Sequence, residues 1–270
     1  MLSGSSAPVG VFDSGIGGLT VVREIERQLP HERIIYFGDT ARVPYGPKSP
    51  ETVQRYSREI ADWLVREGVK AIVVACNTAT AHALPMLREY VALPVIGVVE
   101  PGARAAMRTT RSGVVGVIGT AGTIASGAYE RAIHAIEPAA RVVARACPLF
   151  VPLVEEGWTD REATRLIALE YLEPLAEAQV DTIVLGCTHY PLLAPMLAEL
   201  TQPGVLLIDS AAETAAETRR TLIEHDLVAP HRADTPVHRF VASDDPDRFL
   251  RVGQRFLGST IDRVEKVTLG

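Results

Sequence analysis

The chain has 270 residues, 47% of them apolar and 22% charged, a composition typical of a folded globular protein. Its net charge of −6 argues against a general nucleic-acid binder, because phosphate contacts need a basic surface. Residues 1–8 lack the basic and apolar regions of a signal peptide, and no apolar run approaches the length of a membrane span. Three widely spaced cysteines without a CxxC pair indicate free thiols, so a cytoplasmic protein is expected.

Short β-rich runs alternate with amphipathic helical stretches along the chain. Nearly continuous Val/Ile runs are typical of parallel strands that are buried on both faces. The alternation of strands with helices predicts an α/β fold built from strand–loop–helix units. The predicted strands are residues 9–12, 34–37, 71–75, 95–99, 114–118, 141–144, 182–185 and 205–208.

Two helix starts are marked by their capping residues. Ser49 provides a capping hydroxyl, Pro50 suits the first helical position, and Glu51 places an acid in the first turn. Gly68 then predicts the end of this helix. Residues 159–162, Thr-Asp-Arg-Glu, form a capping box, which predicts the start of a second long helix.

Two segments recur in the same order in the second half of the chain. The segment 9–15 (VGVFDSG) has a weaker echo at 115–121 (VGVIGTA). The segment 71–78 (AIVVACNT) is echoed at 182–189 (TIVLGCTH). Repeated order of this kind predicts a duplicated structural unit.

The duplication predicts two similar parallel-sheet α/β lobes related by pseudo-two-fold symmetry. Residues 1–97 with 208–270 are expected to form the first lobe, and residues 98–207 the second. In parallel α/β sheets the loops after the carboxyl ends of the strands carry the ligands. Cys76 and Cys187 occupy equivalent loops, so both thiols are expected to enter a cleft between the lobes from opposite sides. The active site is therefore expected in that cleft.

Two opposed thiols suit the inversion of a carbon centre. One thiolate removes a proton from one face, and the other thiol delivers a proton to the opposite face. The Cα proton of an amino acid is a very weak acid, so the developing carbanion needs preorganised hydrogen-bond donors. Donors are available beside the cysteines, on Ser14, Asn77, Thr78 and Thr188.

The other candidate residues have structural interpretations beside the chemical ones. Asp13 either closes a turn before glycine or partners a thiol. His189 is either an ordinary core or surface histidine or a proton relay beside Cys187. Glu155 taken alone is a solvated charge, and Cys147 in its apolar stretch is a core residue.

The segment 15–18, Gly-Ile-Gly-Gly, also suggests a dinucleotide site, with Asp39 placed for a ribose contact. Thr20 stands where that motif needs its third glycine, and Asp13 would point a negative charge at the pyrophosphate. The sequence contains no Walker motif, no HExxH and no other metal-ligand spacing. The nicotinamide and metal interpretations are therefore both rejected.

Over nearly its whole length the chain resembles the glutamate racemases of the bacterial cell-wall pathway. Each motif alone is modest support, but their joint order is highly specific. The matching motifs are residues 11–19 (VFDSGIGGL), 38–40 (GDT), 44–46 (PYG), 75–79 (ACNTA), 119–120 (GT), 147–155 (CPLFVPLVE), 185–191 (LGCTHYP) and 208–210 (IDS).

The resemblance implies interconversion of L- and D-glutamate without pyridoxal phosphate or metal, which supplies D-glutamate for peptidoglycan. It implies that Cys76 acts on the D-enantiomer with help from Asp13. It implies that Cys187 acts on the L-enantiomer with help from His189, and that Glu155 is a further acid of the cleft. The residues implied to hold the substrate are Asp13, Ser14, Tyr45, Gly46, Asn77, Thr78, Thr188 and His189.

Two alternatives stay open at this point. An aspartate racemase, or another amino-acid racemase of the family, would carry the same paired thiols. Aspartate is one methylene shorter than glutamate, and that difference affects the depth of the substrate pocket and not the thiols. A secondary role in restraining DNA gyrase would be indicated by an added N-terminal segment or an altered cysteine loop, and the sequence has neither. The expected partner is the small-molecule substrate, with neither nucleic acid nor membrane, and a homodimer is left open.

Overall fold

The computed structural model describes residues 4–231, 234–258 and 261–269. The strands are β1 (Val9–Asp13), β2 (Ile34–Gly38), β3 (Ala71–Val74), β4 (Val95–Gly97), β5 (Val114–Gly119), β6 (Arg141–Ala146), β7 (Thr182–Gly186), β8 (Leu206–Asp209), β9 (Arg239–Ala242) and β10 (Val264–Lys266). The helices are α1 (Leu19–Gln28), α2 (Pro50–Arg66), α3 (Asn77–Tyr90), α4 (Val99–Thr109), α5 (Ala121–Ala125), α6 (Ala128–His134), α7 (Phe150–Glu155), α8 (Glu162–Glu177), α9 (Ala194–Leu200), α10 (Ser210–Glu224) and α11 (Pro246–Leu257), with a 3-10 turn at Tyr190–Leu193.

Two parallel sheets with helices around them form the framework of the chain. The first sheet has the strand order β10-β9-β2-β1-β3-β4, and the second has the order β6-β5-β7-β8. Every pairing among these strands is parallel. The order β2-β1-β3-β4 recurs as β6-β5-β7-β8, so each sheet contains the same arrangement of four successive strands. The predicted class, two similar parallel-sheet α/β lobes, is confirmed.

The central strands are buried as their Val/Ile content predicts. All residues of β1, β2, β3 and β7 are buried, because helices cover both faces of each sheet. None of the helices in the described ranges combines the length and apolar character needed to cross a membrane.

The first sheet extends further than the sequence predicted. β9 and β10 add two strands beyond β2, each only three or four residues long. Runs this short give little alternation to recognise. The predicted strand 95–99 ends at Gly97, because Val99 already belongs to α4.

The two predicted helix starts had different outcomes. α2 begins as predicted: Ser49 Oγ accepts a hydrogen bond from the Thr52 N–H at 3.3 Å, and Pro50 is the first helical residue. The second helix, α8, also forms, but the predicted capping box is wrong. Its N-cap is Arg161, which makes no side-chain cap. The nearby hydroxyl bond comes instead from Thr164, whose Oγ1 donates to the Trp158 carbonyl at 2.6 Å.

The carboxyl ends of the two sheets lie against each other. The last residue of β1 contacts the loop after β7, through the hydrogen bond from Thr188 Oγ1 to Asp13 Oδ2. The start of α3 contacts α6, through the bond from Tyr129 OH to Asn77 Oδ1. β8 runs through the predicted lobe boundary at residue 208, and α10 after it packs against both α1 and α4. That boundary stays a prediction.

Candidate active site

Cys76 lies at the N-terminus of α3, directly after β3. Its Sγ accepts a hydrogen bond from the Ala79 N–H at 3.4 Å and lies 3.6 Å from Ser14 Oγ. Burial, followed by the negative charge of Asp13, raises the pKa of the Cys76 thiol to about 12. Hydrogen bonds from Ala79 and Ser14 oppose this rise. The thiolate, when it forms, is therefore a strong base held by directed donors.

Asp13 is the last residue of β1 and is fully buried between the two thiols' loops. Its Oδ1 accepts from the Gly15 N–H at 2.9 Å, and its Oδ2 accepts from Thr188 Oγ1 at 3.4 Å. Burial raises the pKa of Asp13 above its ordinary value, although the charge of His189 and hydrogen bonds from two glycine N–H groups oppose the rise. A carboxyl group with a raised pKa can exchange a proton with a nearby thiol.

Cys187 lies in the loop after β7, at the position equivalent to Cys76. Its Sγ is 3.9 Å from Nδ1 of His189. Burial raises the pKa of the Cys187 thiol well above its ordinary value. The backbone N–H of His189 opposes the rise, and the charges of Cys76 and Asp13 add to it. The two thiols are therefore close enough for the charge of one to affect the other.

His189 is held by Glu155, which lies at the end of α7. The two are joined by a 3.1 Å contact between His189 Nε2 and Glu155 Oε1. The other oxygen of Glu155 accepts from Arg248 at 3.0 Å. Burial would raise the pKa of Glu155, but the hydrogen bond and charge of His189 and the charge of Arg248 outweigh it, so this pKa is lowered. Glu155 is therefore a carboxylate at neutral pH.

The start of α3 faces two hydroxyls at the start of α5, the helix that follows β5. Thr78 Oγ1 is 2.8 Å from Thr120 Oγ1 and 3.2 Å from Thr123 Oγ1. Asn77 Oδ1 accepts from Tyr129 OH at 2.7 Å, which fixes the orientation of the amide. Its Nδ2 is buried and has no hydrogen-bond partner in the described part of the chain. Since buried donors are nearly always paired, Nδ2 is a donor available to a ligand.

Tyr45 and Gly46 are placed beside this hydroxyl group by the loop after β2. The Tyr45 hydroxyl donates to Asp39, so the phenol is used to anchor the loop. The carbonyl of Gly46 accepts from the Gly122 N–H at 2.8 Å. A Cβ on Gly46 would lie 2.9 Å from Cβ of Thr120, so glycine permits this close approach. A substrate contact from Tyr45 and Gly46 stays a prediction.

Asp39, the residue considered for a ribose contact, is satisfied within the chain. It is fully buried and accepts from Arg42 Nε at 2.7 Å and from Ser243 Oγ at 2.9 Å, as well as from Tyr45. Its carboxylate therefore holds together the loop after β2. Within residues 4–231, 234–258 and 261–269, no group of three or more His, Cys, Asp or Glu side chains is arranged to hold a metal ion.

The structure thus brings most of the predicted site residues into one buried region. Cys76, Asn77, Thr78, Cys187, Thr188 and His189 are each at most 7% exposed, and Asp13 is fully buried. Cys147 is the exception among the cysteines, as predicted: its thiol faces the carbonyl of Arg145 in the core.

Sequence reasoning missed three residues that contact the site. Thr123 and Tyr129 touch Thr78 and Asn77, and Arg248 touches Glu155. Thr123 follows Thr120, which aligns with Ser14 in the internal repeat, and this was a usable signal. Arg248 gave none, since 93 residues separate it from its partner.

Comparison with known proteins agrees with this geometry. Residues 9–218 match the family described as Asp/Glu/Hydantoin racemase. A glutamate racemase of Geobacter metallireducens is 57% identical over 261 residues, covering 97% of this chain and 96% of that relative.

Solved structures give the same result. The glutamate racemase isoform RacE1 from Bacillus anthracis superposes with a TM-score of 0.94 at 43% identity, covering 98% of both chains. The glutamate racemase from Francisella tularensis in complex with D-glutamate superposes with a TM-score of 0.91 at 39% identity, also covering 98% of both chains. The resemblance predicted from the motifs is confirmed, and the chain belongs to the Asp/Glu/Hydantoin racemase family, where its full-length relatives are glutamate racemases.

Proposed function

We propose that the chain interconverts L- and D-glutamate with Cys76 and Cys187 as the two proton-transfer groups. One observation carries the proposal: Asp13, whose charge acts on Cys76, accepts a hydrogen bond from Thr188, the residue after Cys187. The Cys187 loop and the carboxyl group that acts on Cys76 therefore meet at a single buried place, as inversion at one carbon requires.

The reaction of the L-enantiomer begins at Cys187. The Cys187 thiol gives its proton to Nδ1 of His189, and the thiolate then removes the Cα proton of L-glutamate. The Cys76 thiol delivers its proton to the opposite face, which forms D-glutamate and leaves Cys76 as the thiolate. The reaction of the D-enantiomer follows the reverse order, with Asp13 taking the proton of Cys76.

Protons and charges balance over one turnover. Cα loses one proton and gains one. Cys187 ends as the thiol that it was at the start, His189 holds the proton that Cys187 gave up, and Cys76 ends as the thiolate. Both thiols have raised pKa values when the site is empty, so each resting thiol is protonated. Formation of one thiolate therefore depends on its neighbour, His189 or Asp13, and on the ammonium charge of the bound substrate.

The donors around Cys76 support the binding of the substrate's charged groups. Ser14, Thr78 and Thr188 offer hydroxyls, and Asn77 offers its unpaired Nδ2. Donors preorganised in a buried site lower the energy of the carbanion, and each is worth about 100- to 1,000-fold in rate. Glutamate is favoured over aspartate because the full-length relatives are glutamate racemases.

The test follows the optical rotation of L-glutamate and, separately, of L-aspartate, with dialysed and chelator-treated protein. Rotation of glutamate should decay to zero without added cofactor, and aspartate should react far more slowly. In heavy water, deuterium should appear at Cα of the newly formed D-glutamate before it appears in the remaining L-glutamate. Equal early labelling of both enantiomers would indicate a single base and would reject the two-thiol assignment.

A cytoplasmic location and a role in supplying D-glutamate for peptidoglycan are part of the proposal. Three free cysteines support a reducing compartment. Fractionation of cells that carry a tagged chain tests the location. Growth that depends on added D-glutamate after deletion of the gene tests the role.

We also propose that two copies associate as a homodimer. Leu149 and Trp158 flank α7, and Leu166 and Leu169 lie on α8; each of these side chains is 46–59% exposed. α7 contacts α8 through the rings of Phe150 and Tyr171, so these apolar side chains lie on elements that touch. Grouped exposed apolar side chains are typical of interfaces. Light scattering after gel filtration tests this, and the mass of a single chain at micromolar concentration would reject it.

The division into residues 1–97 with 208–270 and residues 98–207 is proposed as the pair of lobes that open and close around the substrate. The recurrence of one strand order in the two sheets supports it. Hydrogen exchange with and without glutamate tests the boundary. Protection should change at residues 97–99 and 207–210, and uniform protection there would place the hinge elsewhere.

A further inference from the structure

Helix α11 reaches the Cys187 side of the site although its neighbouring strand, β9, belongs to the first sheet. Arg248, in its first turn, lies 3.0 Å from Glu155 Oε2. Glu155 Oε1 lies 3.1 Å from Nε2 of His189, whose Nδ1 lies 3.9 Å from Sγ of Cys187. A continuous series of contacts therefore runs from the partly exposed side chain of Arg248 to the thiol.

The same helix contacts His189 a second time. Phe256, two turns further along α11 and fully buried, places its ring edge-to-face with the imidazole at 5.1 Å between centroids. The contact with Glu155 limits rotation of the His189 ring within the ring plane. The contact with Phe256 limits tilting of the ring out of that plane. With Nε2 directed at a carboxylate, Nδ1 is the nitrogen that faces the thiol.

Arg248 holds the oxygen of Glu155 that does not contact His189. A carboxylate with a donor on only one oxygen can rotate, whereas donors on both oxygens fix its plane. The guanidinium side chain is 43% exposed, so solvent screens part of its charge. The remaining charge helps to keep the pKa of Glu155 low, and the contact holds the second carboxylate oxygen in place. The contact also joins α11, which follows β9 of the first sheet, to α7, which follows β6 of the second sheet.

We propose that Arg248 is a positioning residue for the Cys187 half of the reaction, acting through Glu155 and His189. The step it serves is the transfer of the Cys187 proton to His189, followed by removal of the Cα proton of L-glutamate by the thiolate. The Cys76 half, which depends on Asp13 and the start of α3, does not need it. This inference rests on the proposed two-thiol function.

The experiment compares Arg248→Gln with Arg248→Lys and with Arg251→Gln. Arg251 is exposed on the same helix and has no ion pair in the described part of the chain, so it is the matched control. Because the two enantiomers have equal free energies in water, kcat/KM must fall equally in both directions. We expect a fall of about tenfold for Arg248→Gln, partial rescue by Arg248→Lys and no change for Arg251→Gln.

The isotope effects at Cα separate positioning from a general structural defect. With 2-deuterated substrates, slowing the Cys187 step makes removal of deuterium from L-glutamate more rate-limiting and removal from D-glutamate less so. The isotope effect on kcat/KM should therefore rise for the L-enantiomer and fall for the D-enantiomer in Arg248→Gln. A loss of folded protein lowers both rates and leaves both isotope effects unchanged.

The outcomes distinguish this inference from the proposed function. If the wild-type protein does not racemise glutamate, the proposed function fails before Arg248 is considered. If the wild type racemises but Arg248→Gln keeps its isotope effects, the positioning role is overturned. A shift in the opposite sense, larger for the D-enantiomer, would overturn it as well.

Discussion

Thr188 Oγ1 lies 3.4 Å from Asp13 Oδ2, in a hydrogen bond between the loop after β7 and the last residue of β1. Each of these residues is next in sequence to a residue of one thiol's surroundings. Thr188 directly follows Cys187, and Asp13 directly precedes Ser14, which contacts Cys76. The contact therefore connects the two thiol environments without help from a surface residue. The predictions below test what depends on this buried arrangement.

Replacement of either site thiol should abolish racemisation while the fold is kept. Cys76→Ala and Cys187→Ala each remove a proton-transfer group, and losing one small side chain costs about 1 kcal/mol of stability. Cys147→Ala is the matched control, since that thiol is equally buried but faces the core. Polarimetry and circular dichroism measure the two properties. Full activity in either site variant would reject the two-thiol assignment.

Asp13→Asn should stabilise the protein at neutral pH while it reduces activity. The pKa of Asp13 is raised in the folded state, mainly by burial, so the folded state binds its proton more tightly than the unfolded state does. The protonated form of Asp13 contributes fully to stability below the pKa that Asp13 has in the unfolded state. This contribution is lost as the pH rises through the pKa that Asp13 has in the folded state. The variant, which carries no charge there, should be more stable than the wild type at pH 7 and equally stable at pH 3.

Urea unfolding of Asp13→Asn at these two pH values provides the measurement. Asp160→Asn, on an exposed turn, is the control and should change stability by less than about 0.5 kcal/mol at either pH. An Asp13→Asn protein that is less stable than the wild type at pH 7 would contradict the prediction, because it would mean that the charged form is favoured by folding.

Gly17→Ala should damage the site without unfolding the chain. A Cβ at this position would lie 2.3 Å from Oγ1 of Thr188 and 2.5 Å from Nδ1 of His189, so both side chains must move. A displacement of about 1 Å at reacting groups costs about 100-fold in rate, and kcat/KM should fall by that factor. Gly4→Ala is the control, because nothing lies within 4 Å of its Cβ. Wild-type rates in Gly17→Ala would mean that His189 tolerates displacement.

The ion pair between Lys70 and Glu32 should matter for stability and not for catalysis. Lys70 Nζ lies 2.5 Å from Glu32 Oε2, and both side chains are at most 2% exposed. Removing one partner leaves an uncompensated buried charge, so Glu32→Leu should cost about 3–5 kcal/mol. The double variant Glu32→Leu/Lys70→Met should recover much of this loss. Denaturant unfolding measures both, and additive losses in the double variant would contradict the prediction.

Sequence patterns predicted the two parallel sheets because strands that are buried on both faces have nearly continuous Val/Ile sequences. β1, β3, β5 and β7 are Val/Ile runs with buried residues throughout or nearly so, and their loops carry the repeated motifs. The equivalence of Cys76 and Cys187 followed from the same repeat. Local order in the chain was therefore sufficient to place both thiols at the carboxyl ends of equivalent strands.

The parts that could not be predicted depend on contacts between distant segments. Arg248 meets Glu155 across 93 residues, and nothing beside either residue indicates the pairing. The capping box at 159–162 satisfies the local rule, yet the turn before α8 is organised by Thr164 and Trp158. Local propensity is weaker than the packing of neighbouring elements, which sets where a helix starts.

The same strand order is repeated in the two lobes, but the two enantiomers of the substrate are mirror images and the two lobes are not. A chain of L-residues cannot form two mirror-image half-sites, and the thiols accordingly have different neighbours, a carboxyl group for Cys76 and an imidazole for Cys187. Yet the enantiomers are isoenergetic, and in the proposed mechanism the two proton transfers occur in series along one path. Any substitution that lowers kcat/KM in one direction must therefore lower it by the same factor in the other, and net flux is decided by which enantiomer is consumed elsewhere.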